Sequence, residues 1–263
     1  HLDKKTANRQ MISLNSIICN FLGNDKMNFI ILDNKKSLKS TGGNLSSRGS
    51  AIRGMLIFAK KFICILDENL KIDSTILSKL ENNTDSKTCI FGFTWVIHKI
   101  LTENKNNEIL KNFLSNLSQS PILHIGGWKK LTDLSIDKKQ FNSECSEFFN
   151  TDMDKVIDLY GMTEQLGIVY PDCEYGYKHV PVFSEILIRN THSLEVQNDG
   201  ETGFIQVISP IPNSYPGISL LTDDLGEILG RDNCPCGRKG TYFIFKKRSE
   251  MADPKGCGDT IDL

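Results

Sequence analysis

Val156-Ile157-Asp158-Leu159-Tyr160-Gly161-Met162-Thr163-Glu164-Gln165 is the stretch on which the reading of this chain turns. Val156 and Ile157 open it as a short apolar run of strand character. An aromatic ring, a glycine, a hydroxyl and a carboxylate follow. Glycine lets the backbone turn sharply and approach a ligand closely. One turn therefore offers a ring face, bare backbone, a hydroxyl donor and a metal-binding carboxylate, a set that suits a nucleotide and its Mg²⁺. The same residues also read as a strand end and turn with an accidental polar cluster, so the rest of the chain decides.

Upstream, strand and helix signals alternate. Residues 1–25 read as a helix running into a turn at Gly23-Asn24-Asp25. Met27 to Asp33 reads as a buried strand closed by an aspartate, a position that often faces a cleft in α/β folds. Residues 34–50 read as loop. Ser40-Thr41-Gly42-Gly43 and Ser46-Ser47-Arg48-Gly49-Ser50 within it could expose N–H groups to an anion. They lack the Gly-Lys-Ser/Thr ending of a nucleotide P-loop, and a plain polar loop capping the next helix fits equally. A helix is expected over Ala51–Lys61, a strand over Phe62–Leu66, a helix over Ser74–Leu80 and a strand over Thr88–Thr94. Helices from Trp95 and over Glu108–Leu117 follow. A strand over Pro121–Ile125 ends in Gly126-Gly127-Trp128-Lys129-Lys130, and a helix over 138–150 leads to the opening stretch. The fold class expected is α/β: a largely parallel sheet flanked by helices over residues 1–170. Ligands bind at the carboxyl ends of such strands, where Gly126, Gly127 and Gly161 lie.

Downstream the pattern changes. Val180–Arg189, Gly203–Ser209 and Thr241–Lys247 alternate or run apolar, with turns at Asn198-Asp199-Gly200 and between Pro210 and Pro216. Residues 171–247 therefore read as a smaller β-rich subdomain, and 248–263 as a polar, loosely held tail.

The bulk numbers exclude several classes. With 263 residues and 39% hydrophobic side chains, the chain can bury a sizeable core. Its 31 basic and 32 acidic residues leave a net charge of −1, so no global field favours nucleic acid. There is no apolar run of the ~20 residues that a membrane span needs. No secretory signal opens the chain, and the eight cysteines are irregularly spaced. A reducing, cytoplasmic compartment is the expectation, with some cysteines buried and others kept for metal or chemistry.

Three constellations carry chemistry. Cys173 and His179, with Cys234 and Cys236 far downstream, make a Cys₃His set, a standard tetrahedral zinc arrangement. The distal Cys-x-Cys pair is tighter than the usual spacing, and a core histidine with three unrelated thiols is the competing reading. Four protein ligands leave no open position, so such a zinc would be structural. Leu221-Thr222-Asp223-Asp224-Leu225-Gly226 places paired carboxylates after an apolar run, where they could accept from ribose hydroxyls or simply face solvent. Cys257, between Gly256 and Gly258 and beside Lys255, is an open thiol in a mildly electropositive setting that suits a nucleophile or an idle tail thiol. His124 and Trp128 before Lys129-Lys130 admit ligand contact or a structural role.

Gly126-Gly127-Trp128-Lys129-Lys130, Tyr160-Gly161-Met162-Thr163-Glu164, Ser214-Tyr215-Pro216-Gly217, Leu221–Gly226 and Cys234-Pro235-Cys236-Gly237-Arg238-Lys239-Gly240, in that order, resemble the acyl-adenylating enzyme superfamily. Within it the chain is most similar to LuxE-type acyl-protein synthetases and more distantly to phenylacetate–coenzyme A ligases. The ending, Lys255–Thr260, resembles the LuxE-type carboxyl end. The resemblance implies the large-domain fold of acyl-adenylating enzymes. It also implies a reaction in which a carboxylic acid, fatty in the luminescence version, attacks the α-phosphate of ATP to give acyl-AMP, and a thiol then takes the acyl group. Carried onto this sequence, Tyr160 stacks on adenine, Thr163 bonds the α-phosphate and Glu164 holds Mg²⁺. Gly126 and Gly127 line the adenine and acyl cleft together with Gly161 and Met162. Asp224 binds the ribose hydroxyls with Arg248 nearby, and Cys257 carries the acyl group. Phe91, Phe93 and Trp95 could shape an acyl pocket or belong to the core.

The resemblance also implies that the Ser/Thr-Gly-rich phosphate loop stands just upstream of His1, so the chain reads as the carboxyl-terminal portion of a longer protein. Two other readings stay beside the ligase. One is a coenzyme A ligase lacking its last domain. The other is an inactive, zinc-stabilised binding module for an acyl-reductase or acyl-transferase partner.

Overall fold

The computed structural model describes residues 2–39, 46–80, 87–115, 117, 119–127 and 136–249. They fall into two units: one within residues 24–158, and one of residues 159–249 together with residues 2–23, which hold the first helix. Ser40–Gly43, Trp128–Lys130 and Cys257 lie outside the described residues. Among the described residues no helix is long and apolar enough to cross a membrane.

The unit of residues 24–158 is built on β1 (Met27–Asn34), almost wholly buried. It pairs in parallel with β2 (Ala59–Leu66) and β3 (Thr88–Phe93), and β3 pairs in parallel with β4 (Ile122–Ile125). The strand order is β2-β1-β3-β4 and then β5 (Val156–Tyr160). Ile30, Ile31, Ile90, Phe91, Ile122 and Leu123 are among the sheet's buried side chains. Burial on both faces explains why these strands read as continuous apolar runs. The helices are α2 (Ser47–Met55), α3 (Ser74–Leu80), α4 (Thr94–Glu103), α5 (Glu108–Ser115) and α6 (Lys138–Phe149). In α4, Val96, Ile97, Ile100 and Leu101 recur at helical spacing and are buried. The largely parallel sheet flanked by helices is therefore present.

Two features differ from the sequence expectation. The helix expected over Ala51–Lys61 begins at Ser47, inside the expected loop, and ends at Met55. Ser46 starts it by accepting the Gly49 amide at 3.0 Å. Ala59 and Lys61 belong to β2 because they pair with Met27 and Asn28, a tertiary contact that local pattern does not reveal. The second difference is Asp33, which faces no cleft. It is 1% exposed and is tied by Arg48 Nε at 2.9 Å, Ser37 Oγ at 2.6 Å and the Asn34 amide at 2.7 Å. Burial raises its carboxyl above the usual range, against the pull of Ser37 and Arg48.

The other unit starts with α1 (Lys4–Leu22), which Asp3 caps by accepting the Thr6 amide. Its buried stripe runs Thr6, Gln10, Ser13, Leu14, Ile17, Ile18. Leu159 and Tyr160, the end of β5, pair antiparallel with β6 (Tyr170–Pro171). Then come β7 (Lys178–His179), β8 (Glu185–Arg189), β9 (Gly203–Ile208), β10 (Ser219–Arg231) and β11 (Thr241–Arg248). They form one antiparallel sheet in the order β7-β11-β10-β9-β8. Ile186, Ile188, Ile205, Val207, Ile228 and Phe243 alternate inward, so the β-rich reading of this part holds.

Replacing Arg48 with Met leaves the Asp33 carboxylate buried without its counter-charge, which costs about 3 kcal/mol. Urea unfolding should show that loss at about pH 7 and a smaller one at about pH 4. The sign follows from the raised carboxyl: protonated Asp33 needs no counter-ion, so the penalty appears only as pH rises through its folded-state value. An equal loss at both pH values contradicts the pairing.

Candidate functional site

The opening stretch ends β5 and turns immediately. Thr163–Gln165 form a single 3₁₀ turn. Glu164 is exposed, and Thr163 Oγ1 donates to Glu164 Oε2 at 3.2 Å, so hydroxyl and carboxylate stand side by side. Gly161 serves close packing rather than an unusual backbone turn: a Cβ there would lie 3.2 Å from Val169 Cγ1 and 3.3 Å from the Ile168 carbonyl oxygen. Met162 is half-buried beside it. Gln165, buried, sends Nε2 to the Gly217 carbonyl at 3.1 Å. Gly217 in turn lies flat against the turn, since a Cβ on it would meet the Glu164 carbonyl oxygen at 2.4 Å.

Tyr160 and Asp224 bond to each other. The phenol donates to Asp224 Oδ2 at 2.8 Å, and its ring packs near Tyr170, Phe243 and Phe245 at centroid distances of 5.8, 6.1 and 5.8 Å. Burial raises the Asp224 carboxyl, while the Tyr160 hydroxyl and the Arg248 charge pull it down. Burial and the Asp224 charge also drive the Tyr160 phenol well above its ordinary value. Arg248 pairs with Asp224 across the β10–β11 ladder and sets Nη2 3.7 Å from Asp223 Oδ2. The residues expected to meet base and ribose thus form one half-buried pair with a guanidinium beside it.

In the unit of residues 24–158, Gly126 follows β4 with φ +84° and Gly127 has open space around its α-carbon. Phe91 and Phe93 are core. His124 is buried, its Nδ1 2.9 Å from Thr94 Oγ1 and 3.7 Å from Asp158 Oδ1, its ring 4.9 Å from that of Phe141.

Cys173, His179, Cys234 and Cys236 come together with their ligand atoms all within 4.8 Å of one another. Pairing of β7 with β11, which sets His179 opposite Tyr242, brings the two halves into reach. Cys173 Sγ lies 3.9 Å from Cys234 Sγ, and Cys236 Sγ lies 3.3 Å from His179 Nε2. Tetrahedral zinc with bonds of about 2.3 Å to sulfur and about 2.0 Å to nitrogen needs edges of roughly 3.5–3.8 Å. The 3.9 and 3.3 Å separations lie near those edges while the 4.8 Å spread exceeds them, so the set could take such an ion if its donors drew in. Backbone amides of Tyr175 and Tyr177 point at Cys173, that of Cys236 at Cys234, and that of Arg238 at Cys236, 3.4 Å away. Such amide–sulfur bonds favour the thiolate form. Burial pushes Cys173 up and Cys234 up to about 12. Burial also opposes ionisation of Cys236, but the Arg238 amide and the neighbouring thiols bring it below its usual range. Burial, with the Arg238 charge, holds His179 neutral, its pKa pushed down to about 4, as a ligand nitrogen must be. Tyr177 and Tyr242 wall the cluster, with the His179 ring stacked on Tyr242.

Gln165, Gly217, Tyr215 and Arg238 support these sites, yet none was singled out as a site residue in the sequence. All four sit inside stretches quoted from it, but no spacing rule marks a supporting contact.

Solved structures share this architecture. ATP-bound MatB from Rhodopseudomonas palustris aligns at 15% identity and TM-score 0.57, over 91% of this chain and 44% of that one. 2-Hydroxyisobutyryl-CoA ligase in complex with 2-HIB-AMP and CoA aligns at 12% identity and TM-score 0.65, over 89% and 46%. At such identities the likeness shows the fold alone, that of acyl-adenylating enzymes. The family model for the acyl-protein synthetase LuxE matches residues 1–263, and the chain belongs to that family. Two curated relatives are named long-chain-fatty-acid–luciferin-component ligase. The Aliivibrio fischeri protein is 25% identical over 66% of this chain and 45% of its own length. The Vibrio harveyi protein is 29% identical over 73% and 50%. The chain thus spans about half the length of these relatives.

Replacing Tyr160 with Phe removes the donor that favours ionised Asp224, so the carboxyl should titrate at higher pH, as followed by carbon-13 NMR of the aspartate carboxyls. The change should also cost about 2 kcal/mol in unfolding free energy. An Asp224 titration that stays put or falls contradicts the coupling.

Proposed function

We propose that the protein to which this chain belongs activates a carboxylic acid with ATP and passes the acyl group to a cysteine thiol. A long-chain fatty acid is the substrate class favoured by the names of the two relatives. The observation that carries the proposal is the Thr163–Glu164 turn, hydroxyl and carboxylate adjacent and braced from beneath, in a chain of the LuxE family.

A carboxylate oxygen of the acid attacks the α-phosphorus of ATP, the bond to the β-phosphate oxygen breaks, and pyrophosphate leaves. Charge builds on the α-phosphate oxygens, where the Thr163 hydroxyl donates. Glu164 would hold Mg²⁺, which supplies positive charge to the phosphates. Asp224 gives one oxygen to Tyr160 and keeps the other for the ribose hydroxyls, with Tyr160 presenting its ring to the base. In the second step a thiolate attacks the acyl carbon and AMP departs. Cys257 is the acceptor that the LuxE-type carboxyl end implies. Gly127, open around its α-carbon, offers bare backbone to a ligand. Zn²⁺ on Cys173, His179, Cys234 and Cys236 would be structural, because all four positions are filled by protein. Free thiols in this number suit a reducing compartment such as the cytoplasm. A reductase or transferase that takes the acyl group from Cys257 is the partner class this chemistry calls for.

ATP–pyrophosphate exchange by the full-length protein, with a panel of fatty acids, tests the first step. Exchange should depend on one acid class, and Thr163→Ala should lower it by about 100-fold. Absence of exchange with every acid contradicts adenylation. Radiolabelled acid should remain on the protein as a hydroxylamine-labile thioester that Cys257→Ser abolishes. Soluble acyl-CoA with no label on protein contradicts the protein-thiol step.

A further inference from the structure

Arg238 plays no part in that scheme, yet it touches three things at once. Its amide donates to Cys236 Sγ at 3.4 Å. Its Nη1 lies 3.3 Å from Glu174 Oε2, on the residue next to Cys173. Its guanidinium carbon sits 4.3 Å above the centre of the Phe21 ring, in the last turn of α1. One residue, through its amide and its guanidinium, therefore joins both halves of the Cys/His cluster to α1.

At its other end α1 braces the Thr163–Glu164 turn. Gln10 Nε2 donates to the Tyr215 hydroxyl at 2.7 Å, and Thr6 Oγ1 donates to Asn213 Oδ1 at 2.5 Å. Tyr215 belongs to the loop whose Gly217 lies against Glu164 and accepts from Gln165. Gln10 also fills the space beside Gly167, where a Cβ would come within 2.5 Å of the Gln10 α-carbon and where φ is +88°. From Gln10 to Phe21 the helix carries this support over about 16 Å.

We propose that the Cys/His cluster, once it holds Zn²⁺, is a remote support for the Thr163–Glu164 turn, and that Arg238 is the positioning residue that links the two through α1. The inference rests on the reading of that turn as the phosphate- and Mg²⁺-handling element. Without a cation, three sulfur donors and an imidazole crowded within 4.8 Å lose the ion that holds them together. The 173–179 and 234–238 segments then loosen, Arg238 leaves Phe21, and the far end of α1 slackens against Tyr215 and Gly167. Each link is a direct contact, so the path is physical rather than statistical.

Amide hydrogen exchange on the 263-residue chain tests this without any enzymatic assay. Zinc-loaded and chelated samples are compared for wild type, Arg238→Ala, Arg238→Lys and Phe21→Leu. Chelation should speed exchange over residues 14–22 and 163–168 by about five-fold or more, with β8 and β9 as the unchanged reference. Arg238→Ala should do the same while retaining one zinc per chain, chelation should then add little in those segments, and Arg238→Lys should restore part of the protection. Phe21→Leu, which keeps an apolar side chain, reproduces the effect if Arg238→Ala disturbs the reference strands. Three results would overturn the proposal: no zinc bound after reconstitution, unchanged exchange over 163–168 in zinc-loaded Arg238→Ala and Phe21→Leu, or effects of mutation and chelation that simply add. Loss of pyrophosphate exchange with these exchange data intact would count against adenylation and leave the coupling standing.

Discussion

Three cysteine sulfurs and one imidazole nitrogen share a space less than 4.8 Å across, and the unit of residues 159–249 with α1 is arranged around that crowding. Donor atoms of these types so close together suit a bound cation. Amides from four residues are aimed at the sulfurs, and the histidine is held neutral. Nearby, Lys178 and Asp172 form an ion pair at 3.3 Å with both side chains only 3% exposed. Charges buried at that depth persist only when paired, which fixes the hairpin that presents Cys173 and His179. The β7–β11 pairing and the positive-φ Gly237 turn complete the enclosure from the other side.

A second constraint acts at the nucleotide-like turn. Tyr160 and Asp224 are both shifted by burial, and each offsets part of the other's desolvation through one hydrogen bond. That bond ties the end of β5 to β10 within one unit. It leaves Glu164 exposed with Thr163 half-buried beside it, on a turn whose inner side is taken up by Gln165 and Gly217.

Much of this was legible in the residues. Apolar runs marked β1, β3 and β4 because burial on both faces leaves no alternation to confuse the reading. Alternation marked β8 and β9. The four residues of the Cys/His cluster were singled out as a candidate ligand set, despite the tight Cys234–Cys236 spacing. What eluded the sequence was set by contacts between distant residues. Ala59 to Lys61 look helical next to Ile52 and Met55, and only pairing with Met27 and Asn28 makes them strand. The helix of α1 was expected, but the partners of its Thr6 and Gln10, Asn213 and Tyr215, stand more than two hundred positions away. Tyr160 and Asp224 were each singled out, but not as a bonded pair, since no local rule links them. Gly161 was expected to permit a turn, whereas it makes room for Val169.

The most direct test of the central claim is zinc K-edge X-ray absorption on the purified chain. The account predicts one zinc per chain with three sulfur neighbours at about 2.3 Å and one nitrogen at about 2.0–2.1 Å, and no exchangeable water. A shell dominated by oxygen, or protein that binds no zinc when it is supplied under reducing conditions, would contradict it.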